Sequence, residues 1–228
     1  MKGVIIFAII FCAALVGLGV FLSGQSSGDS RIVTMNQQYL DREANSGWVR
    51  GATKPTVQVT EYGDYQSAGT ASISAVITNA LAETASYTQF TFRPYPNSRN
   101  PTSLFAAEAA EAAGRQGKYW EMHDFLFATQ TTWETKSKND FQAFITTEAQ
   151  AFHINVNQFQ NDLNDSSIDT EINKDKASGN QLGLTSTPAL VVNGALVQAI
   201  PTTVANMVAL FENANASGTP TPSETAGL

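Results

Sequence analysis

Cys12 is the single thiol in a chain of 228 residues. One sulfur excludes an internal disulfide, a Cys-x-x-Cys redox couple and a multi-cysteine zinc site. Histidine is nearly as scarce, with only His123 and His153. His123 stands near Glu121 and Asp124, but offsets of two and one do not share a helix face. The trio therefore reads as surface or satisfied helix residues, and no metal or cofactor is expected. Gln66-Ser67-Ala68-Gly69 lacks the leading glycine of a nucleophile elbow. A Ser67–His–acid triad would need a histidine to arrive from a distant segment. Ser67 instead stands where a helix begins, and serine is a preferred N-cap because its oxygen accepts a first-turn amide.

The elements that must position these residues follow from periodicity. Residues 56–62 (TVQVTEY) alternate β-branched and polar side chains and predict a strand. Over 67–83, Ile73, Val76, Ile77, Ala80 and Leu81 recur at helical spacing. A second strand is expected at 89–93, stopped by Pro94 and Pro96. Helical segments follow at 104–115, 119–129, 139–152, 158–163 and 168–182, with Tyr119, Trp120, Phe125 and Phe127 as core material. A short strand over 189–192, the turn Asn193-Gly194 and a strand from 195 to 198 make a hairpin. Residues 202–212 close as a helix capped by Thr202 or Thr203. The order is β-α-β, a helical block too long for a loop, then β-β-α. With a right-handed crossover in the first unit, that is an α/β thioredoxin-like fold with a helical insertion subdomain over about 100–183.

Twenty acidic against thirteen basic side chains give a net charge of −7, which argues against a nucleic-acid partner. Residues 3–22 run without a charge or proline. About 20 helical residues span a hydrocarbon core of roughly 30 Å. The run is longer than a signal-peptide core, and Cys12 lies within it, so it reads as an uncleaved transmembrane anchor. Lys2 before it places the bulk of the chain on the extracytoplasmic side of a single-pass cell-membrane protein. Residues 23–47 form a linker, Gly/Ser-rich at first and then polar with one short helix. The globular domain spans 48–213, and the Ser/Thr/Pro/Gly-rich tail 214–228 is expected to be disordered.

Five segments in order carry a family resemblance: 59–66 (VTEYGDYQ), 91–96 (TFRPYP), 106–113 (AAEAAEAA), 117–124 (GKYWEMHD) and 183–189 (GLTSTPA). Together they resemble the DsbA-like branch of the thioredoxin superfamily, extracytoplasmic thiol–disulfide oxidoreductases. The resemblance implies that Glu61 lies beneath the active site and that Pro188 is the loop proline that is cis in that family. It also implies that the redox pair belongs at 67–70, where this chain has Ser67-Ala68-Gly69-Thr70. Thiol–disulfide exchange needs a thiolate attacking a disulfide sulfur. A helix dipole contribution of about 1 kcal/mol does not make a serine an alkoxide, and oxygen forms no mixed disulfide. No catalytic residue is expected, and Glu61 becomes a relic acid or a hydrogen-bond partner. The reading that results is a redox-inactive chaperone or adaptor. It would hold extended or unfolded polypeptide, or a membrane-protein partner, at Ser67, Thr187 and Pro188 by strand addition. Two alternatives stay open: a disulfide-pathway protein using an external thiol or a partner's cysteine, and a glutathione-transferase-like site in which Ser67 activates an incoming thiol.

Overall fold

The computed structural model describes residues 32–34 and 47–217. The expected anchor at 3–22 and the end of the tail lie outside the described residues. Among the described residues no helix is long and apolar enough to cross a membrane.

The centre of the molecule is the strand β3 (Val57–Gly63), which alternates β-branched residues as expected. It pairs in parallel with β4 (Thr88–Pro94) and antiparallel with β5 (Ala189–Val192). The helix α1 (Ala68–Thr84) makes the crossover between β3 and β4. Its inward row of Ile73, Ile77, Ala80 and Leu81 is buried, so burial of that row fixes its rotation against the sheet. The hairpin from β5 to β6 (Ala195–Val197) turns on Asn193 and Gly194, at φ 45° and 76°. Asn193 also braces β3, its Oδ1 accepting from the Gln58 amide at 2.8 Å and its own amide donating to the Gln58 carbonyl at 2.8 Å.

Two edge strands depart from the sequence reading. β1 (Ile32–Thr34) pairs antiparallel with β6, inside the stretch expected to be linker with a short helix. Three consecutive β-branched or hydroxyl-branched residues favour extended backbone, and the free edge of β6 supplies a partner. β2 (Val49–Gly51) covers the opposite edge against β4. The full order is β1-β6-β5-β3-β4-β2. β4 also runs one residue further than expected, through Pro94.

The insertion between β4 and β5 comprises α2 (Pro101–Gly114), α3 (Tyr119–Ala128), α4 (Gln130–Trp133), α5 (Lys138–Ala151), α6 (Val156–Asp162) and α7 (Ser166–Gln181). α2 is its axis. Ala106, Ala107, Ala109, Ala110, Ala112 and Ala113 are all buried, small enough for neighbouring helices to approach on every side. Trp133 stacks on Phe141 at 4.5 Å beneath it. Gly114 ends the helix under Trp48, where an added Cβ would stand 2.4 Å from the indole. Trp48 stacks on Tyr119 and donates from Nε1 to Glu111 Oε2 at 2.8 Å. α8 (Val204–Ala216), capped by Thr203, packs against α1. It runs three residues past the expected domain end at 213, because Ala214 still reaches the core and Ser217 caps back onto the Asn213 carbonyl.

Candidate functional site

The turn from β3 into α1 is built from residues whose polar atoms are nearly all in use. Gly63 is required by space: a Cβ there would lie 2.4 Å from the Phe92 ring and 2.5 Å from Thr70 Cγ2. Asp64, buried, accepts from the Gln66 amide at 2.9 Å and from Ser103 Oγ at 2.6 Å, while its other oxygen accepts from the Asn97 amide at 3.1 Å. It is a turn former, as its type suggests, and it also ties the turn to the insertion. Ser67 is the N-cap of α1, at φ −84° and ψ 117°, with Oγ accepting from the Thr70 amide at 3.1 Å. Thr70 faces inward, wholly buried, and its Oγ1 accepts from the Asp64 amide at 3.4 Å. Of the two hydroxyl positions, then, Ser67 borders solvent and Thr70 does not.

The Thr187-Pro188 peptide bond is cis. A Cβ on Gly69 would stand 3.3 Å from Pro188 Cδ and 3.6 Å from Ser67 Oγ, so the loop leans on the first turn of α1. Ser67, Thr187 and Pro188, separated by about half the chain, thus meet in one half-exposed patch. Among the described residues no backbone hydrogen bond outside the helices and strands involves Ser186, Thr187 or Pro188. β5 starts immediately after them.

Glu61 is fully buried on β3. Its Oε2 accepts from Ser74 Oγ at 2.7 Å, whereas among the described residues Oε1 has no partner. Burial pushes this carboxyl up to about 8, against the opposing pull of the Ser74 hydrogen bond and the Arg50 charge. Ser74 lies seven residues down α1 from Ser67, about 10 Å along a helix. The acid therefore serves the middle of α1, and its neighbours Ser74 and Arg50 were not singled out by sequence reasoning.

His123 was expected at the surface or satisfied within its helix, and it is only half so. It is 1% exposed, with Nδ1 3.0 Å from Tyr65 Oη and Nε2 lacking a partner among the described residues. The signal was available: Tyr119, His123 and Phe127 recur every four residues on α3, a stripe that belongs inside. His123 turns its Nδ1 to Tyr65 while Ser67 Oγ takes the Thr70 amide, so neither makes the contact a triad needs. Glu121 pairs with Lys118 and Asp124 with Arg50. Among the described residues no three His, Cys, Asp or Glu side chains are grouped to hold a metal.

A family model described as thioredoxin matches residues 43–213. Part of the sodium/proton antiporter NhaA 1 of Salinispora arenicola is 30% identical over 147 residues, covering 64% of this chain and 21% of that protein. The NhaA 1 antiporter of Mycolicibacterium gilvum is 28% identical over 149 residues, 23% of its length. The chain thus spans about a fifth of the length of the curated relatives it matches. Among solved structures, a thioredoxin-like oxidoreductase from Silicibacter pomeroyi superposes with a TM-score of 0.64 at 24% identity, covering 79% of this chain and 98% of that one. The thiol-disulfide exchange protein alpha-DsbA2 from Wolbachia pipientis gives 0.65 at 20% identity, over 79% and 92%. BdbD from Bacillus subtilis gives 0.61 at 17% identity, over 82% and 99%.

Proposed function

The chain belongs to the thioredoxin family and has the fold of its DsbA-like members, and from that premise we propose that it binds extended or unfolded polypeptide without redox chemistry. It acts as a membrane-anchored, extracytoplasmic chaperone or adaptor. The observation that carries this reading is the pairing of two features on one patch. Ser67 and Thr70 stand where a redox pair would be, with their oxygens spent on the helix cap and the turn. Beside them, among the described residues, the Thr187 backbone makes no hydrogen bond outside the helices and strands, which suits it to a strand laid alongside. The cap bond at Ser67 Oγ also favours binding over activation of an incoming thiol. The apolar run at 3–22 supports the anchor. Similarity to a segment of antiporters, chains that move ions across a membrane, supports the same setting.

The test is titration of the detergent-solubilised full chain with a fluorescent unfolded peptide, alongside insulin reduction. Saturable binding with background reduction is expected. Ala68→Trp, at an exposed first-turn position, and Thr187→Lys should each weaken binding about tenfold or more, roughly the 1.4 kcal/mol typical of an obstructed interface residue. Binding indifferent to both changes, or insulin reduction with turnover by the wild-type chain, overturns the reading.

A further inference from the structure

Tyr95 follows β4 directly and is half-buried. Its amide donates to the carbonyl of Gly63 at 2.7 Å, the residue that ends β3 and starts the turn into Ser67. Its hydroxyl proton faces two acceptors, Asn180 Oδ1 at 2.6 Å and the Leu184 carbonyl at 3.0 Å. One residue thereby joins the wall that carries Ser67 to the wall that carries Thr187. We propose that Tyr95 is a positioning residue for the polypeptide site: its hydroxyl fixes the stretch 185–188 where an extended chain is to be laid beside it. This rests on the peptide-binding reading of that patch.

The loop is held as far as Leu184 and no further. The Gly183 amide donates to the Asn180 carbonyl at 2.9 Å and the Leu184 amide to the Gly179 carbonyl at 3.1 Å, closing the end of α7. Among the described residues no backbone hydrogen bond outside the helices and strands involves Thr185, Ser186, Thr187 or Pro188. The sheet takes up the chain again at Ala189, opposite Tyr62. The Leu184 carbonyl is thus the last anchored group before the span that meets a ligand. The ring of Tyr95 packs without help from its hydroxyl. It lies on Gly179, where a Cβ would stand 2.8 Å from two ring carbons, and it covers the small apolar cluster of Tyr62, Ala189 and Val191. Lys176 sits over the ring at 6.0 Å and donates to the Pro96 carbonyl at 3.2 Å. Phenylalanine would fill the same space. What tyrosine adds is the bond to the loop, and a loop ordered in advance spares an incoming chain that ordering cost.

Tyr95→Phe removes the hydroxyl and keeps the ring. In the detergent-solubilised full chain, the 15N order parameters of Thr185, Ser186 and Thr187 should fall from about 0.85, the value of rigid backbone, to below about 0.6. The fluorescent unfolded peptide should bind about tenfold more weakly, as expected when one more residue must be ordered on binding. The control is Asn155→Ala, which removes the cap of α6 at a stability cost like that of one lost hydrogen bond. Asn155 bonds to Gln116 just past the end of α2, whereas Ser103 near the start of that helix reaches Asp64, so the control lies about 20 Å from the patch. It should alter neither the order parameters nor the affinity. Wild-type binding that Tyr95→Phe leaves unchanged, order parameters that hold, or an equal loss of affinity in Asn155→Ala overturns the proposal. A wild-type chain that binds no peptide overturns the reading beneath it and this proposal with it, a result distinct from failure at Tyr95 alone.

Discussion

The first turn of α1 and its middle are about 10 Å apart on the same helix, yet their polar groups are treated in opposite ways. At the first turn every hydroxyl and carboxylate named above has a partner within the protein: Ser67 with Thr70, Thr70 with Asp64, Asp64 with Ser103, Gln66 and Asn97. At the middle, Glu61 Oε1 and His123 Nε2 are buried without one among the described residues. At the first turn the side chains close on the helix cap and the turn. Where the fold needs only packing, unsatisfied groups remain. The first turn, with Ser67 and Thr70, is tied to its own cap and turn, and the polar imbalance lies deeper on the helix.

The contrast can be tested at the crowded end first. Gly63→Ala places a methyl against Phe92 and Thr70, and it should cost about 3 kcal/mol through overpacking. Urea denaturation measures it, and a loss under 1 kcal/mol would mean that the turn is not tight. Next comes the pH dependence of the unsatisfied middle. Below its ordinary value of 4.5, Glu61 is protonated in both folded and unfolded chains. Between 4.5 and about 8 only the unfolded chain loses the proton, so stability falls as pH rises through that window. Glu61→Gln keeps an acceptor for Ser74 and should remove most of the fall that this carboxyl causes between pH 4.5 and 8. A variant with the same pH profile as wild type would place the acid elsewhere in the balance. The smallest effect is Ser67→Ala, expected to cost about 1 kcal/mol by loss of the cap, whereas Ser67→Asp should cost nearly nothing. Equal losses in the two variants would assign Ser67 a role other than capping.

The β3–α1–β4 unit was legible because its signals are local. Alternation at 57–63, helical spacing from Ile73 to Leu81 and a serine at the helix start are read within one window. Asn193-Gly194 was legible for the same reason. The edge strands were not, since three residues establish no period and β1 depends on the distant β6 for its partner. The meeting of Ser67 with Thr187 and Pro188 was expected from resemblance, and no spacing rule joins residues that far apart in sequence. A cavity between α1 and α3 left no trace in the sequence. Ala71 and Ala75 are ordinary helix formers, and only the three-dimensional placement of Phe127 and His123 across from them makes the space. The inward turn of Thr70 was equally hidden, because a hydroxyl residue in a first turn has no preference for the sheet side.

Trp48 rests on Gly114 and Tyr119 with its indole N–H on Glu111, a carboxyl that burial lifts to about 7. Protonation of that one acceptor near neutrality changes the charge beside the indole. The domain therefore carries its own optical gauge: emission from Trp48 should titrate near pH 7, and Glu111→Gln should silence that step without a dye or label.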